Sequence, residues 1–549
     1  MKEKKLKDPL YGYISIPSDF INDIIDSAVF QRLRRVTQTS YAPLYASAVH
    51  NRFVHSLGVY NLGGIACNTL TNEINAKIDN GDFDIGKETF DEIRHTFLLA
   101  CLLHDVGHAP FSHTGEEFYL GPNREYQNLN ELLIKTVGSE DFSKDVPNDK
   151  SSAAAPHEIM SAIVGLREYS NYFEKCETRE FFARCITGYK YSCISIDNSI
   201  KNCFIQLLNS KVIDVDKLDY LIRDAYITGY NTVKIDYLRL LNSITIVEQT
   251  SESGEKTYDI AYYKGAISVI ENVVYAHDSE RKWIQNHPVI LYECYLLRHI
   301  MKMLSEKLDS GENKLFSIDS ITTTGSTLKD GEKICLISDD DIIHLAKRYY
   351  EENDFAKEYF DRRMRRHPVW KSEAEYKAFL LDFSSGGTII DSLENAMNLT
   401  SDYLAKNSES WLINESLIQT LKKELDEIER SELDQRTKQT QEKDKKSILK
   451  VVECLMNYAK SVEYSGDYVL LKASQFNSGF LKPDFTNTKI VFSNRIEKKT
   501  DLFGKTVSSI AGIESERNNF FYIFYSRNEK NGESLDISNI CKELIREFV

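Results

Sequence analysis

An apolar run, LLACLL at residues 98–103, delivers a His-Asp doublet, His104 and Asp105, and then His108, His113, Glu116 and Glu117 in quick succession. A helix made of such a run is buried, so the doublet at its end is desolvated along with it. Taking an imidazole and a carboxylate out of water together is costly unless a compensating charge comes with them, and a bound cation supplies that charge directly. The chain must therefore build part of its interior around a charged centre.

The text around the doublet is helical. Segments 17–36, 54–78, 92–108, 156–174, 202–226, 262–280 and 287–308 carry apolar residues at three- and four-residue spacing, and 338–365 and 373–406 return to it. Strand-like text is sparse: YGYISI near residue 13, SITIVEQ near 245, and DYVLLKAS, TKIVFS and FFYIFYS towards the end, with a short β excursion at 318–336. With only 10 prolines and 25 glycines in 549 residues, the expected fold is mainly α with a smaller α+β region at the C-terminal end. The expected organisation is a catalytic core at 1–310, a helical extension at 311–417, a charged helical connector at 418–447, and an α+β regulatory or oligomerisation region at 448–549.

Composition narrows the functions. The formal net charge of −15 argues against broad charge-driven binding to nucleic acid or an anionic membrane surface. No apolar run is long enough to span a bilayer, and MKEKKLKDPL lacks the apolar stretch of a signal peptide. Ten cysteines without a C-x-x-C pair read as reduced thiols, so the expected location is cytoplasmic.

Seven of the twelve histidines lie within the first 157 residues. His55, on the first turn of an expected helix, and Asp216, at the acid-rich helix start VIDVDKLDYLIRDAY, complete a set with His104 and Asp105. Two imidazoles and two carboxylates suit manganese, magnesium, iron or zinc, and not copper(I), which prefers sulfur. Such a set leaves coordination positions open for water and phosphate oxygens.

These residues sit in longer matching text: DPLYGYI at 8–14, IIDSAVFQRLRRVTQ at 24–38, HNRFVHSLGVY at 50–60, LLHDVGHAPFSH at 102–113, His157-Glu158, and IDVDKLDYLIRDA at 213–225. Over roughly residues 5 to 310 the chain resembles the HD-domain deoxynucleoside triphosphate (dNTP) triphosphohydrolases, a family that includes animal enzymes with an added SAM domain and bacterial dGTPases. The resemblance implies a helical fold around a divalent metal held by His55, His104, Asp105 and Asp216, and hydrolysis of dNTPs to deoxynucleoside and triphosphate. It implies His113 as the acid–base group, Glu116 at i+3 to fix its tautomer, and His108 and His157 as further active-site histidines; N-capping or core packing is the plain alternative for His108 and His113.

The same resemblance places Arg52 and Lys217 at phosphate-binding positions and Gln38, Tyr220 and Asp224 beside the sugar. It places Asp26, Gln31 and Arg34 at a site for an activating nucleotide, within a homo-oligomer of two, four or six chains. Arg34 reads equally well as part of a solvated helix face. The implied biology is control of nucleotide pools or dNTP depletion during phage infection. The competing enzyme reading is an HD phosphodiesterase for a cyclic or signalling nucleotide, and the non-enzymatic one is a nucleotide-sensing regulator on an HD scaffold.

Overall fold

Helix Arg52–Asp79 begins where the Asn51 side chain accepts a hydrogen bond from the Val54 N–H at 3.3 Å in the computed structural model, the capping role asparagine favours. Val59, Leu62, Ala66, Leu70 and Ile74 along it are fully buried, as in a helix that runs through a core and not over it. Helix Lys87–Leu103 packs against it and buries Phe97, Leu99, Leu102 and Leu103 completely. The structure describes the chain outside residues 1, 80–86, 121–125, 148–152, 194, 212, 231–232, 251–255, 312, 384–386, 408–410, 432–433, 474–487, 493–494, 499–519, 533–534 and 549. The segment KKTDLFGKTVSSI at 498–510, within the region expected to be regulatory, lies outside the described residues except for Lys498.

The fold is mainly helical, and several of the expected helices differ in outline. Segment 338–365 is divided into Asp339–Arg348 and Asp354–Phe360 with 3-10 turns after each, 373–406 falls in Glu373–Phe383 and Gly387–Asn407, and three more bear on the site. The one expected through residue 108 stops at Leu103, leaving His104–Gly107 as a turn. Gly107 there lies so close to helix Pro156–Glu168 that a Cβ would fall 2.3 Å from the Ser161 backbone nitrogen. Segment 202–226 forms two helices, Ile196–Leu208 and Val215–Thr228. Polar groups make that break: Asp214 accepts from the N–H groups of Lys217 at 2.7 Å and Ser210 at 2.9 Å, locking a turn between them. Segment 17–36 is divided into Phe20–Ile25, Ala28–Gln31 and Arg32–Arg35, with Ser27 capping the second piece.

The strands foreseen from alternation are present at Gly12–Pro17, Ile244–Thr250, Tyr468–Lys472, Lys489–Phe492 and Phe521–Tyr525. Others were not foreseen: the short strands His367–Pro368, Leu412–Ile413 and Arg495–Lys498, and two longer ones. Glu3–Asp8 pairs antiparallel with Gly12–Pro17, and Lys256–Tyr263 pairs antiparallel with Ile244–Thr250.

The chain forms two compact units. The first comprises Met1–Glu280, Met301–Arg348 and Ser478–Glu514; the second comprises Arg281–Ile300, Tyr349–Asn477 and Ser515–Val549. Within the first, a four-stranded sheet runs in the order Arg495–Lys498, Lys489–Phe492, Lys256–Tyr263, Ile244–Thr250, with Lys489 opposite Ala261 in a parallel pairing. Within the second, a four-stranded antiparallel sheet, His367–Pro368, Phe521–Tyr525, Tyr468–Lys472, Leu412–Ile413, contributes Val469, Leu470, Phe521 and Ile523 to an apolar core. The charged stretch at 418–447 falls in two helices, Glu415–Arg430 and Gln435–Ser461, which pack together antiparallel and are tied by Lys445–Glu424 and Lys460–Glu415 ion pairs. Among the described residues no helix is long and apolar enough to cross a membrane.

Candidate metal centre and acid–base cluster

Three chain segments bring the four residues of the expected metal set together. His55 lies in the first turn of helix Arg52–Asp79, His104 and Asp105 on the turn after Leu103, and Asp216 in the first turn of Val215–Thr228. The Nε2 atoms of His55 and His104 are 3.2 Å apart. Asp216 Oδ1 lies 2.9 Å from the first and 3.7 Å from the second, and the two Asp105 oxygens lie 3.5 Å from them. Donors bound at about 2.1 Å to a common centre sit roughly 3.0–3.4 Å apart in octahedral or tetrahedral arrangements. The observed spacings bracket that range: His55, His104 and Asp105 form a buried cluster able to hold a divalent cation, with Asp216 Oδ1 beside both imidazoles.

The surroundings of the rings make the same point. His55 Nδ1 faces Asp219 Oδ2 at 2.7 Å, and His104 Nδ1 faces the Cys101 carbonyl at 3.0 Å. Both Nδ1 atoms thus point a proton at an acceptor, which leaves both Nε2 lone pairs facing each other and the carboxylates, an arrangement that a cation stabilises. Burial alone would push the His55 imidazole down, yet Asp216, Asp219 and Asp105 outweigh it and push it up to about 10, so this pocket favours a positive charge at Nε2, whether a proton or a cation. Asp219 accepts in addition from Tyr11 Oη at 2.8 Å and from Arg223 Nε and Nη2, both at 2.9 Å, and Arg223 reaches Asp8 at 3.1 Å. Asp219, Arg223, Tyr11 and Asp8 were not singled out as site residues. The available signal was the Asp219–Arg223 i,i+4 spacing.

Asp105 joins the metal set to a second cluster. Its Oδ2 accepts from Arg52 Nη1 at 2.8 Å, and its Oδ1 lies 3.1 Å from His108 Nε2. Burial would raise the Asp105 carboxyl, but Arg52 and the neighbouring imidazoles hold it well below its ordinary range. His108 is fully buried and stacks on His157 with ring centroids 4.2 Å apart. Glu116 is the hub: it accepts from His113 Nδ1 and lies 3.0 Å from His157 Nδ1 and 3.8 Å from His108 Nδ1. Burial and the nearby Arg52 hold His108 well below its ordinary value, while Glu116 overcomes burial at His157 and pushes that imidazole up to about 9. His113 is the exposed member, its side chain 68% accessible, so a proton-carrying group faces the open side of a buried cluster. Residues 112–114 and 116–120 form two 3-10 turns in place of a continuous helix, yet they still bring His113 and Glu116 together.

The remaining expected residues are placed as follows. Arg52 is buried and committed to Asp105, to Ser112 Oγ at 2.8 Å and to the Gln38 carbonyl at 3.3 Å. Lys217 Nζ bonds Ser210 O at 2.7 Å and Asp214 Oδ2 at 2.6 Å. Tyr220 and Asp224 follow Asp216 along one helix, and Asp224 accepts from His50 Nε2 at 2.6 Å. Gln38 is buried, its Oε1 without a hydrogen-bond partner among the described residues. Gln31 and Arg34 bond each other at 2.8 Å, Arg34 lies over the Phe53 ring at 3.5 Å, and Asp26 is exposed nearby.

Residues 52–162 match the HD domain, so the chain carries an HD domain that holds every site histidine from His55 to His157, whereas Asp216 comes from beyond it. The uncharacterized protein YwfO of Bacillus subtilis is 31% identical over 243 residues, 44% of each chain. The deoxynucleoside triphosphate triphosphohydrolase SAMHD1 homolog of Dictyostelium discoideum is 29% identical over 284 residues, covering 50% of this chain and 46% of that one. The chain spans about half the length of the curated relatives it matches. A solved phosphohydrolase from Bacteroides thetaiotaomicron has a similar fold, with TM-score 0.50 and 18% identity over 96% of this chain and 100% of that one.

Proposed function

We propose that the protein is a metal-dependent phosphohydrolase that cleaves dNTPs to deoxynucleoside and triphosphate. The observation that carries the reading is Asp105, whose two oxygens link a four-donor metal set to the His108, His113, Glu116 and His157 cluster. The relatives named as dNTP triphosphohydrolases support the choice of substrate.

Displacing the 5′ oxygen from the α-phosphorus requires a nucleophile on one side, a proton for the departing oxygen, and positive charge around the phosphates. His55, His104, Asp105 and Asp216 would hold a divalent cation, which would supply Lewis-acid charge and ease the activation of water. Glu116 accepts the Nδ1 proton of His113 and fixes the ring, which leaves Nε2 as the atom that exchanges a proton with the 5′ oxygen. His157, kept protonated by Glu116, places positive charge beside the α-phosphate. Neutral, buried His108 fixes the plane of His157 by stacking. Arg52 orients Asp105 through Nη1, and Arg52 and Lys217 both keep N–H groups beyond their present bonds for the triphosphate. Asp224, oriented by His50, accepts from the 3′-hydroxyl, with Tyr220 and Gln38 beside the sugar. An activating nucleotide at Asp26, Gln31 and Arg34, in a homo-oligomer, belongs to the same reading.

The test is product analysis with manganese or magnesium and each dNTP, alone and in pairs. Unphosphorylated deoxynucleoside with intact triphosphate is the expected result, and a rate gain in pairs marks activation. Release of dNMP or dNDP alone, across all combinations, overturns the reading and points to a phosphodiesterase.

A further inference from the structure

The loop that presents His108 and His113 is strained. Phe111 and Ser112 stand in succession at φ 56° and 51°, a region that residues other than glycine, asparagine and aspartate rarely occupy. Such backbone persists only where its surroundings over-determine it. Here the surroundings include a residue from far outside the HD match. The Phe111 N–H donates to Asp339 Oδ1 at 2.6 Å. The other oxygen of Asp339 accepts from the Thr37 N–H at 2.9 Å and from Thr37 Oγ1 at 2.7 Å. Ser112 Oγ closes the circuit by donating to the Thr37 carbonyl at 2.5 Å while accepting from Arg52 Nε at 2.8 Å.

Arg32 makes a parallel set of bonds. Its buried guanidinium donates to the His108 carbonyl, to Ile337 O at 2.7 Å and to Val106 O at 3.5 Å. Residues 337 and 339 are thereby tied to both the histidine loop and the segment bearing Gln38. Asp339 is itself 6% exposed. Burial pushes its carboxyl up to about 6 although Phe111, Thr37 and Arg32 all favour the ionised form. A charge kept there at that cost serves the loop it holds more plainly than it serves the stability of its own helix.

We propose that Asp339 is a positioning residue of the hydrolytic site, holding the backbone of Phe111 and Thr37 so that His113 and Gln38 keep a fixed register. The activity arm of this proposal rests on the dNTP reading above; the structural arm does not.

The experiment compares the full chain with Asp339→Asn. The amide keeps one acceptor oxygen and turns an NH2 towards one of the two sides, so half of the clamp opens. Without substrate, hydrogen exchange should quicken in residues 108–116 while helix 52–79 is unchanged and bound manganese per chain stays at the wild-type level. With dNTP, kcat should fall about tenfold or more with KM within about twofold, the pattern of lost positioning and not of lost binding. Thr37→Val, which removes one of the three donors, should give a smaller fall. Asp340→Asn, at an exposed neighbour paired with Arg35, should change nothing. Wild-type exchange at 108–116, faster exchange with unchanged kcat, or faster exchange spread through the first unit would each overturn the proposal. If the wild-type chain releases no deoxynucleoside and triphosphate, the dNTP reading fails while the exchange comparison still decides the clamp.

Discussion

Gly58 gives the sharpest test of the network behind His55, because two contributions there have opposite signs. Replacing a helical glycine by alanine ordinarily stabilises by up to about 1 kcal/mol. At Gly58 the added methyl would fall 1.8 Å from Asp219 Oδ1 and 2.6 Å from Arg223 Nη2. Asp219 would have to move, and with it the bonds to His55 at 2.7 Å, Tyr11 at 2.8 Å and Arg223 at 2.9 Å. Breaking a buried, hydrogen-bonded ion pair costs about 3–5 kcal/mol, so Gly58→Ala should be destabilised by about 2–4 kcal/mol net. Freeing the His55 ring from its orienting carboxylate should also weaken metal binding about 10–100-fold, equivalent to roughly 1.4–2.7 kcal/mol. Gly64, on the same helix, has nothing within 4 Å of its ideal Cβ, and Gly64→Ala should be neutral or mildly stabilising. Urea unfolding in chelator gives the first quantity, and competitive manganese titration gives the second. If Gly58→Ala is as stable and binds metal as tightly as the wild type, or if Gly64→Ala is equally harmful, the assignment of Asp219 as the residue that orients His55 is wrong.

Other outcomes follow from the same geometry. His113→Gln should lower kcat by about 10²–10⁴ while leaving bound metal unchanged; loss of the metal would show that His113 is structural. His157 has a folded value of about 9 against an ordinary 6.5 because Glu116 outweighs burial. Its stabilisation is therefore complete below pH 6.5 and disappears as pH rises through 9, amounting to about 3 kcal/mol at most. Wild type and His157→Gln, unfolded in urea in the presence of chelator, should converge between pH 6 and pH 10; a constant gap contradicts the pairing. Chelation should lower the thermal midpoint, and manganese at a hundred times its Kd should restore about 2.7 kcal/mol. No change in the midpoint would argue against a resident cation.

What the sequence revealed, and what it hid, divides along a physical line. Apolar periodicity located the helices that carry His55, His157 and Asp216 and the one that ends just before His104, because burial imposes a 3.6-residue pattern on each helix by itself. His113 and Glu116 were legible as a pair because i,i+3 neighbours meet in 3-10 turns as well as in α-helices. The supporting shell left no such local trace. Asp219 meets Tyr11 and Phe111 meets Asp339 across more than 200 residues of chain, and nothing near either partner announces the other. Strand Lys256–Tyr263 escaped notice for a related reason: it is buried along its later half and lacks clean alternation. Arg52 read as a phosphate ligand on its position alone, whereas its bonds to Asp105 and Ser112 make it a brace for the site first.

The parallel pairing of Lys489–Phe492 with Lys256–Tyr263 also governs the order in which the molecule can be completed. During synthesis the Ile244–Tyr263 hairpin emerges first, and its partner follows roughly 230 residues later. At about 5–20 residues per second that is roughly 10–45 s. Throughout that interval one side of strand Lys256–Tyr263 offers open N–H and C=O groups to any passing chain. A ribosome-bound nascent chain halted short of residue 489 has its histidines in hand and an unfinished edge exposed, so slow translation of residues 264–488 should favour aggregation over premature activity.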